Sequence, residues 1–382
     1  MAKQSEVGKG LLPFWTRNKN TGDFNLTQAG RQHISKDGDL ALRQFAPMYL
    51  VDLPETKYLV PGRINKTPWL GPLAPKAELP KIPRVPPYKI VSTSEKGLGI
   101  VATRDIKAGE IIFAEKPLLK INCEMKDGEM DDSFIVDERL KTLSAQDRKD
   151  FESLSIAPPL RSKKKSIGIW RTNAYEFGDG AGVFLTASRF NHSCRPTVDR
   201  IWNEEDGKAY FIAFRDVRGG EELCTDYTGM YRRRHEREQH LFFSYGFKCK
   251  CQVCSLPPEE VKENDRARIE IAQINDFMLK GEINRDLHPL KFHAICCRGI
   301  ELLRKHDTAS FFEIELAGGA YMVSVLFGCR PIADIWMQEL LKLSKRYGVV
   351  GKDRIDRFRF YEVMKEDPTC HPAWALYSKS KE

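Results

Sequence analysis

Asn191-His192-Ser193-Cys194, followed by Thr225-Asp226-Tyr227 and then by Tyr245-Gly246-Phe247-Lys248-Cys249-Lys250-Cys251-Gln252-Val253-Cys254, is the stretch from which the rest of this chain is read. Cys249, Cys251 and Cys254 leave a tetrahedral zinc shell one ligand short, and Cys194 is the candidate to complete it. A C-x-C-x-x-C spacing with Lys248 and Lys250 on either side of its first cysteine does not suit an apolar core strand, and the two cations favour thiolates. A shared zinc would pin Tyr227, Tyr245 and Phe247 next to the Asn191 turn, a geometry that suits an aromatic channel. Asn191 and His192 offer short amide and imidazole groups for gripping a polar cofactor from a bent backbone.

Outward from this stretch, short β-like runs occur at 88–91, 99–103, 111–115, 198–202 and 210–214, each bounded by turn residues. Arg104-Asp-Ile-Lys-Ala-Gly-Glu-Ile111 is echoed by Arg215-Asp-Val-Arg-Gly-Gly-Glu-Glu222, so two similar turn units frame the central region. Between them, residues 124–172 read as a helical insert. Val136, Leu140 and Leu143 fall at helical spacing, and Ser144-Ala-Gln-Asp147 resembles a capping box opening a helix that buries Phe151 and Leu154.

Beyond Cys254 the pattern is helical. Phe292, Ile295, Cys296, Ile300 and Leu303 share one helix face. A second helix opens at Pro331, carries Ile332, Ile335, Trp336, Leu340, Leu343 and Tyr347 inward, and stops at Gly348. The fold class is therefore α+β: short strands with a helical insert, then an α-helical C-terminal domain over 257–382. Residues 1–87, polar and rich in proline from Pro54 to Pro87, read as an arm or linker.

Composition bounds the function. Lys plus Arg number 61 against 53 Asp plus Glu, a net charge of +8 that is basic without demanding a nucleic-acid partner. Two runs, Arg161-Ser-Lys-Lys-Lys165 and Arg232-Arg-Arg-His-Glu-Arg237, read as a solvated loop and a solvated helix face, or else as surfaces attracting acidic partners such as chromatin or a phosphoprotein. No apolar run is long enough for a membrane span, and the first residues carry no signal-peptide core, so no membrane partner is expected. The ten cysteines suit a reducing, intracellular compartment, nucleus or cytoplasm, with Cys296-Cys297 packing a helix.

Lys96-Gly97-Leu98-Gly99, Asn191-His-Ser-Cys194, Glu222-Leu-Cys-Thr-Asp-Tyr227 and the three-cysteine tail, in this order, resemble the SET domain of protein lysine methyltransferases. The chain is most similar to the SET and MYND group and its fungal SET-only relatives. The resemblance implies a SET domain over 88–245 and a post-SET zinc segment over 246–256. It implies S-adenosylmethionine contacts at Lys96, Gly97, Leu98, Gly99, Asn173, Asn191 and His192, with Phe247 covering the adenine. Tyr227 and Tyr245 would line the lysine channel, and Cys194, Cys249, Cys251 and Cys254 would hold zinc. The implied activity is methyl transfer to a lysine ε-amine of a histone or non-histone protein; the alternatives are a catalytically inactive SET scaffold that binds a partner and a zinc-dependent nucleic-acid binder. Two departures stand out. Only Cys123 occurs between residues 100 and 175, so the MYND zinc module is missing, and Thr197 replaces a frequent asparagine.

Overall fold

A computed structural model describes residues 81–93, 96–122, 132–177, 180–279, 289–306, 308, 310–350, 352–371 and 373–375, together with an antiparallel pair of short strands, β1 (Trp15–Arg17) and β2 (Phe24–Leu26). Most of the 1–87 arm, Cys123 and the first residues of the insert lie outside the described residues. Eight of the ten strands that follow are β3 (Tyr88–Thr93), β4 (Gly97–Ala102), β5 (Ile111–Glu115), β6 (Leu119–Asn122), β7 (Ala174–Phe177), β8 (Gly180–Val183), β9 (Asn191–His192) and β10 (Val198–Asn203). The last two are β11 (Lys208–Ala213) and β12 (Glu222–Thr225). They form three small sheets, ordered β3-β4-β12-β9, β10-β11-β5 and β6-β8-β7.

The five expected strands are all present, with ends shifted by one or two residues. The β6-β8-β7 sheet was not foreseen, because Gly180-Ala-Gly-Val183 lacks the alternation that marks a half-buried strand. Phe113, Phe184, Phe190 and Phe211 fill the core beneath the sheets.

The two echoing loops pair with each other. Ile106 and Val217 exchange backbone hydrogen bonds of 2.8 and 2.9 Å. Asp105 accepts from the Gly219 N–H at 2.9 Å while Asp216 accepts from the Ala108 N–H at the same distance. The Gly109 N–H donates to Ala213, and the Gly220 N–H to Ala102, both at 2.8 Å. Both glycines have φ near +90° (85° and 89°), a conformation that costs other residues energy.

The insert is helical as read: α1 (Asp132–Lys141), α2 (Ala145–Glu152), a 3₁₀ turn at Pro158–Leu160, and α3 (Lys165–Asn173). The Ser144 hydroxyl caps α2, accepting from the Asp147 N–H at 3.1 Å. Val136, Phe151 and Leu154 pack against Leu119 of β6 and Val183 of β8, so the insert sits on the third sheet.

After β12 come α4 (Arg234–Tyr245), α5 (Pro258–Leu279), α6 (Pro289–Lys305), α7 (Phe312–Leu326), α8 (Arg330–Arg346) and α9 (Lys352–Glu366). The apolar α7 is the buried centre, with α6 and α8 packed against it. Phe292, Cys296, Ile300 and Leu303 face inward as expected. Ile335 does not: it is 61% exposed, and Met337 takes the inward position. The helical domain docks on the β10-β11-β5 sheet, where Val350 joins Ile111, Ile201 and Ile212, and Phe214 meets Tyr347 with ring centroids 5.4 Å apart. Among the described residues no helix is long and apolar enough to cross a membrane.

Candidate functional site

The site forms where β12 runs parallel to β9. Their register pairs Cys224 with Asn191 and Thr225 with His192, which delivers Tyr227 to the Asn-His turn. Thr197, the departure from the family's pattern, closes this turn: its hydroxyl accepts from the Cys224 N–H at 2.7 Å and its own N–H donates to the Cys224 carbonyl.

On the other side, β12 pairs with β4 and brings in the glycine turn. The Asn191 amide donates to Glu222 at 2.8 Å and to the Leu98 carbonyl at 3.3 Å, and Lys96 Nζ lies 2.6 Å from the same carboxylate. A Cβ at Gly99 would stand 2.9 Å from Asn191 Nδ2, so this approach requires glycine. Gly97, at φ +74°, faces open space, and Leu98 is 44% exposed beside it. Glu222 is thus a site residue that sequence reasoning quoted within a motif and did not assign. Asn173 is buried at the end of α3, its amide donating to the Ser155 and Ile169 carbonyls at 2.8 Å each.

His192 is buried, and burial pushes its imidazole down to about 4 against the pull of nearby Asp226. The Tyr227 N–H donates to His192 Nδ1 at 3.1 Å, which leaves the proton of the neutral ring on Nε2, 3.2 Å from Cys194 Sγ. Both ring nitrogens are therefore engaged inside the protein, so any ligand contact by His192 falls to its backbone.

Three aromatic side chains surround this turn. Tyr227 and Tyr245 have ring centroids 4.8 Å apart, and His192 lies 5.3 Å from Tyr227 and 6.1 Å from Phe247. The Tyr227 hydroxyl donates to the Phe190 carbonyl. Burial, then the neighbouring tyrosines Tyr175 and Tyr245, hold it well above the usual phenol range.

The four expected cysteines converge. The Sγ atoms of Cys194, Cys249, Cys251 and Cys254 all lie within 4.8 Å of one another, and Cys194 and Cys254 are 3.5 Å apart. The sulfurs contend for protons: hydrogen bonding to its neighbours holds Cys194 far above the usual thiol range and pulls Cys251 far below it. A divalent soft cation would end that contest by taking all four as thiolates, so the donor set fits zinc.

Lys248 and Lys250, expected to steady the thiolates, are both exposed residues beside Cys249. A third cation, Arg237, faces the sulfurs from inside the protein. The last residue of the run read as a solvated face, it is 1% exposed, with Nε 3.3 Å from Cys194 Sγ and Nη2 3.9 Å from Cys254 Sγ. Behind it Arg268, fully buried on α5, donates to the Cys194 carbonyl at 3.3 Å, to Asn264 and to the Met230 carbonyl. Two guanidinium charges stand beside the four sulfurs and would offset the two negative charges of a zinc-tetrathiolate formed there.

Residues 97–228, which carry the glycine turn, the Asn-His turn and Tyr227, match the SET domain family, and Tyr245 and the cysteine knot follow directly after this span. The chain thus carries a SET domain and is similar, over part of its length, to SET5 and SMYD proteins. It is 32% identical over 195 residues to the histone-lysine N-methyltransferase set5 of Schizosaccharomyces pombe, a match covering 50% of this chain and 58% of that one. A SET domain-containing protein of Acanthamoeba polyphaga mimivirus is 28% identical over 199 residues, covering 43% and 76%. Human N-lysine methyltransferase SMYD2 is 32% identical over 108 residues, covering 28% and 23%. The chain thus spans little more than half of the fission-yeast relative and about a quarter of the human one.

Proposed function

We propose that this chain is a protein-lysine N-methyltransferase that moves a methyl group from S-adenosylmethionine to the ε-amine of a lysine in a histone or another protein. The observation that carries this is the convergence of the Asn191-His192 turn, the Tyr227 and Tyr245 pair and the four-cysteine knot beside one pair of parallel strands. Two of the relatives named above, set5 and SMYD2, are methyltransferases, which does not favour the inactive-scaffold alternative. The site would work inside the cell, in the nucleus or the cytoplasm.

When bound, S-adenosylmethionine supplies an electrophilic methyl on a sulfonium. Lys96 and Glu222 offer one charge of each sign to its zwitterionic end, Asn191 shares that carboxylate, the open backbone at Gly97 admits a ligand, and Phe247 offers its ring to the adenine. Asn173 would contribute through Oδ1, since its amide protons are spent. Zinc at Cys194, Cys249, Cys251 and Cys254 would hold the rings in place and take no part in the transfer.

A lysine near pKa 10.4 must lose its proton before it attacks, and an aromatic channel favours the neutral amine by desolvation. Tyr227 does not take that proton. Its own phenol is held protonated and donates to Phe190, so it serves as a fixed dipole that orients the amine. Alignment of this kind is worth about 7 to 11 kcal/mol.

The test is calorimetric titration of the zinc-loaded chain with S-adenosylmethionine, with Asn191→Ala and Tyr227→Phe in parallel, followed by labelled methyl transfer to mixed core histones and a cell extract. Asn191→Ala should lose binding, while Tyr227→Phe should bind and lose turnover. Wild-type protein that binds no cofactor would sink the reading.

A further inference from the structure

Tyr245, which the methyltransferase reading places at the lysine channel, ends α4, and the surface of that helix continues outward from it. Phe242 lies one turn before Tyr245, on the same side of the helix by i, i+3 spacing. It is 59% exposed, and its neighbour Phe243, at ring-centroid distance 5.4 Å, is 71% exposed. Most large apolar side chains here are buried, so two adjacent exposed phenylalanines beside a channel mark a contact surface.

Among the described residues, the charges left unpaired around this surface have one sign. The C-terminal cap of α4 packs against the insert: a Cβ at Gly246 would stand 2.9 Å from Pro159 Cδ and 3.0 Å from Pro158 Cβ. That contact brings the basic run 161–165 to the end of the helix that carries Phe242. Within the run, Lys164 is neutralised by Asp137 and Lys165 by Glu152. On α4, Glu236 is taken by Arg233 and Glu238 by Arg234. Among the described residues these acidic groups are already paired, whereas Arg161, Lys163 and, three residues past Tyr245, Lys248 are exposed cations with no ion pair among those residues.

We propose that the channel mouth takes its lysine from an acidic protein segment, with an apolar residue of that segment seated on Phe242 and Phe243 and carboxylates facing Arg161, Lys163 and Lys248. The inference rests on the methyltransferase reading for what happens to the lysine, but the docking preference is measurable without turnover. Charge complementarity decides the occupant: a tail rich in lysine and arginine would meet three uncompensated cations, and like charges brought together at an interface are costly. The adjacent rings favour a polypeptide over duplex DNA, which would use the cations alone.

The experiment is fluorescence anisotropy of labelled lysine peptides on the full zinc-loaded chain. One peptide carries glutamates and a leucine around the lysine, a second has arginines in place of the glutamates, and a third has glutamines. The acidic peptide should bind about tenfold more tightly than the basic one and weaken as salt is raised. An Arg161→Glu, Lys163→Glu double variant should reverse the order, and Phe242→Ser should weaken all three, with cofactor calorimetry unchanged in both variants. Equal or tighter binding of the basic peptide, or a preference untouched by the charge reversal, overturns the proposal. So does displacement of the acidic peptide by stoichiometric duplex DNA, or sedimentation showing a dimer that Phe242→Ser dissolves. A silent cofactor titration alongside clear peptide selectivity would fail the methyltransferase reading alone. Methyl transfer with no charge preference would fail the docking alone.

Discussion

His192 shows how one proton links two halves of the site. The Tyr227 N–H fixes its tautomer, and the remaining N–H points at a sulfur of the cysteine knot, so the Asn-His turn and the knot share a side chain. Arg237 plays the complementary part with charge. Removing it as Arg237→Met keeps volume and deletes the guanidinium that faces Cys194 and Cys254. Metal affinity, read by competition with a chromophoric chelator, should fall by about ten- to hundredfold, the usual cost of losing a partner of a metal's ligands. Unchanged affinity would show that Arg237 only fills space. The four cysteines were legible because their spacing has few other uses. Arg237 was not, because a run of like charges does not disclose its helical phase: five of the six residues from 232 to 237 reach solvent at least in part, and the sixth turns inward.

Elements meet at two joints whose failure is measurable. At the end of α4, Gly246 combines φ +76° with the close approach of Pro158 and Pro159. Gly246→Ala should cost about 1 to 3 kcal/mol for the left-handed backbone alone, seen as a lower melting temperature. At the α6 and α8 joint, Trp336 Nε1–H donates to His293 Nε2 at 2.9 Å, and burial pushes this imidazole from 6.5 down to about 4. The unfolded chain takes up a proton that the folded one refuses. His293 therefore favours the fold fully above pH 6.5, and that contribution shrinks as pH falls from 6.5 toward 4. We expect a loss on the order of 2 kcal/mol across that window, absent in His293→Gln, by thermal melts against pH. Helices of this kind were legible from their periodicity, with Ile335 the exception on α8. The strands β6, β7 and β8 were not, since they are four residues each and owe their existence to pairing with one another across the insert.

For the molecule as a whole, the helical domain and the sheets are joined at glycines. Gly109, at φ +85°, touches the backbone of Lys345, and Gly348 approaches Ile212 of β11. Gly109→Val should part the two regions and split one calorimetric unfolding transition into two, the helical region melting first; a single transition at the wild-type temperature would count against this joint. The order of the regions was legible in the sequence, because strand and helix periods differ. Their docking was not, since the contact joins residues far apart in the chain through backbone fit and not through a side-chain pattern. The reciprocal pairing of Asp105 with Gly219 and of Asp216 with Ala108 carries a consequence for synthesis. These partners stand 114 and 108 residues apart, so the loop before β5 keeps open hydrogen-bonding positions until the second loop has left the ribosome. Such distant contacts slow folding, and the nascent chain must hold β3, β4 and the whole insert in waiting until its latecomer arrives.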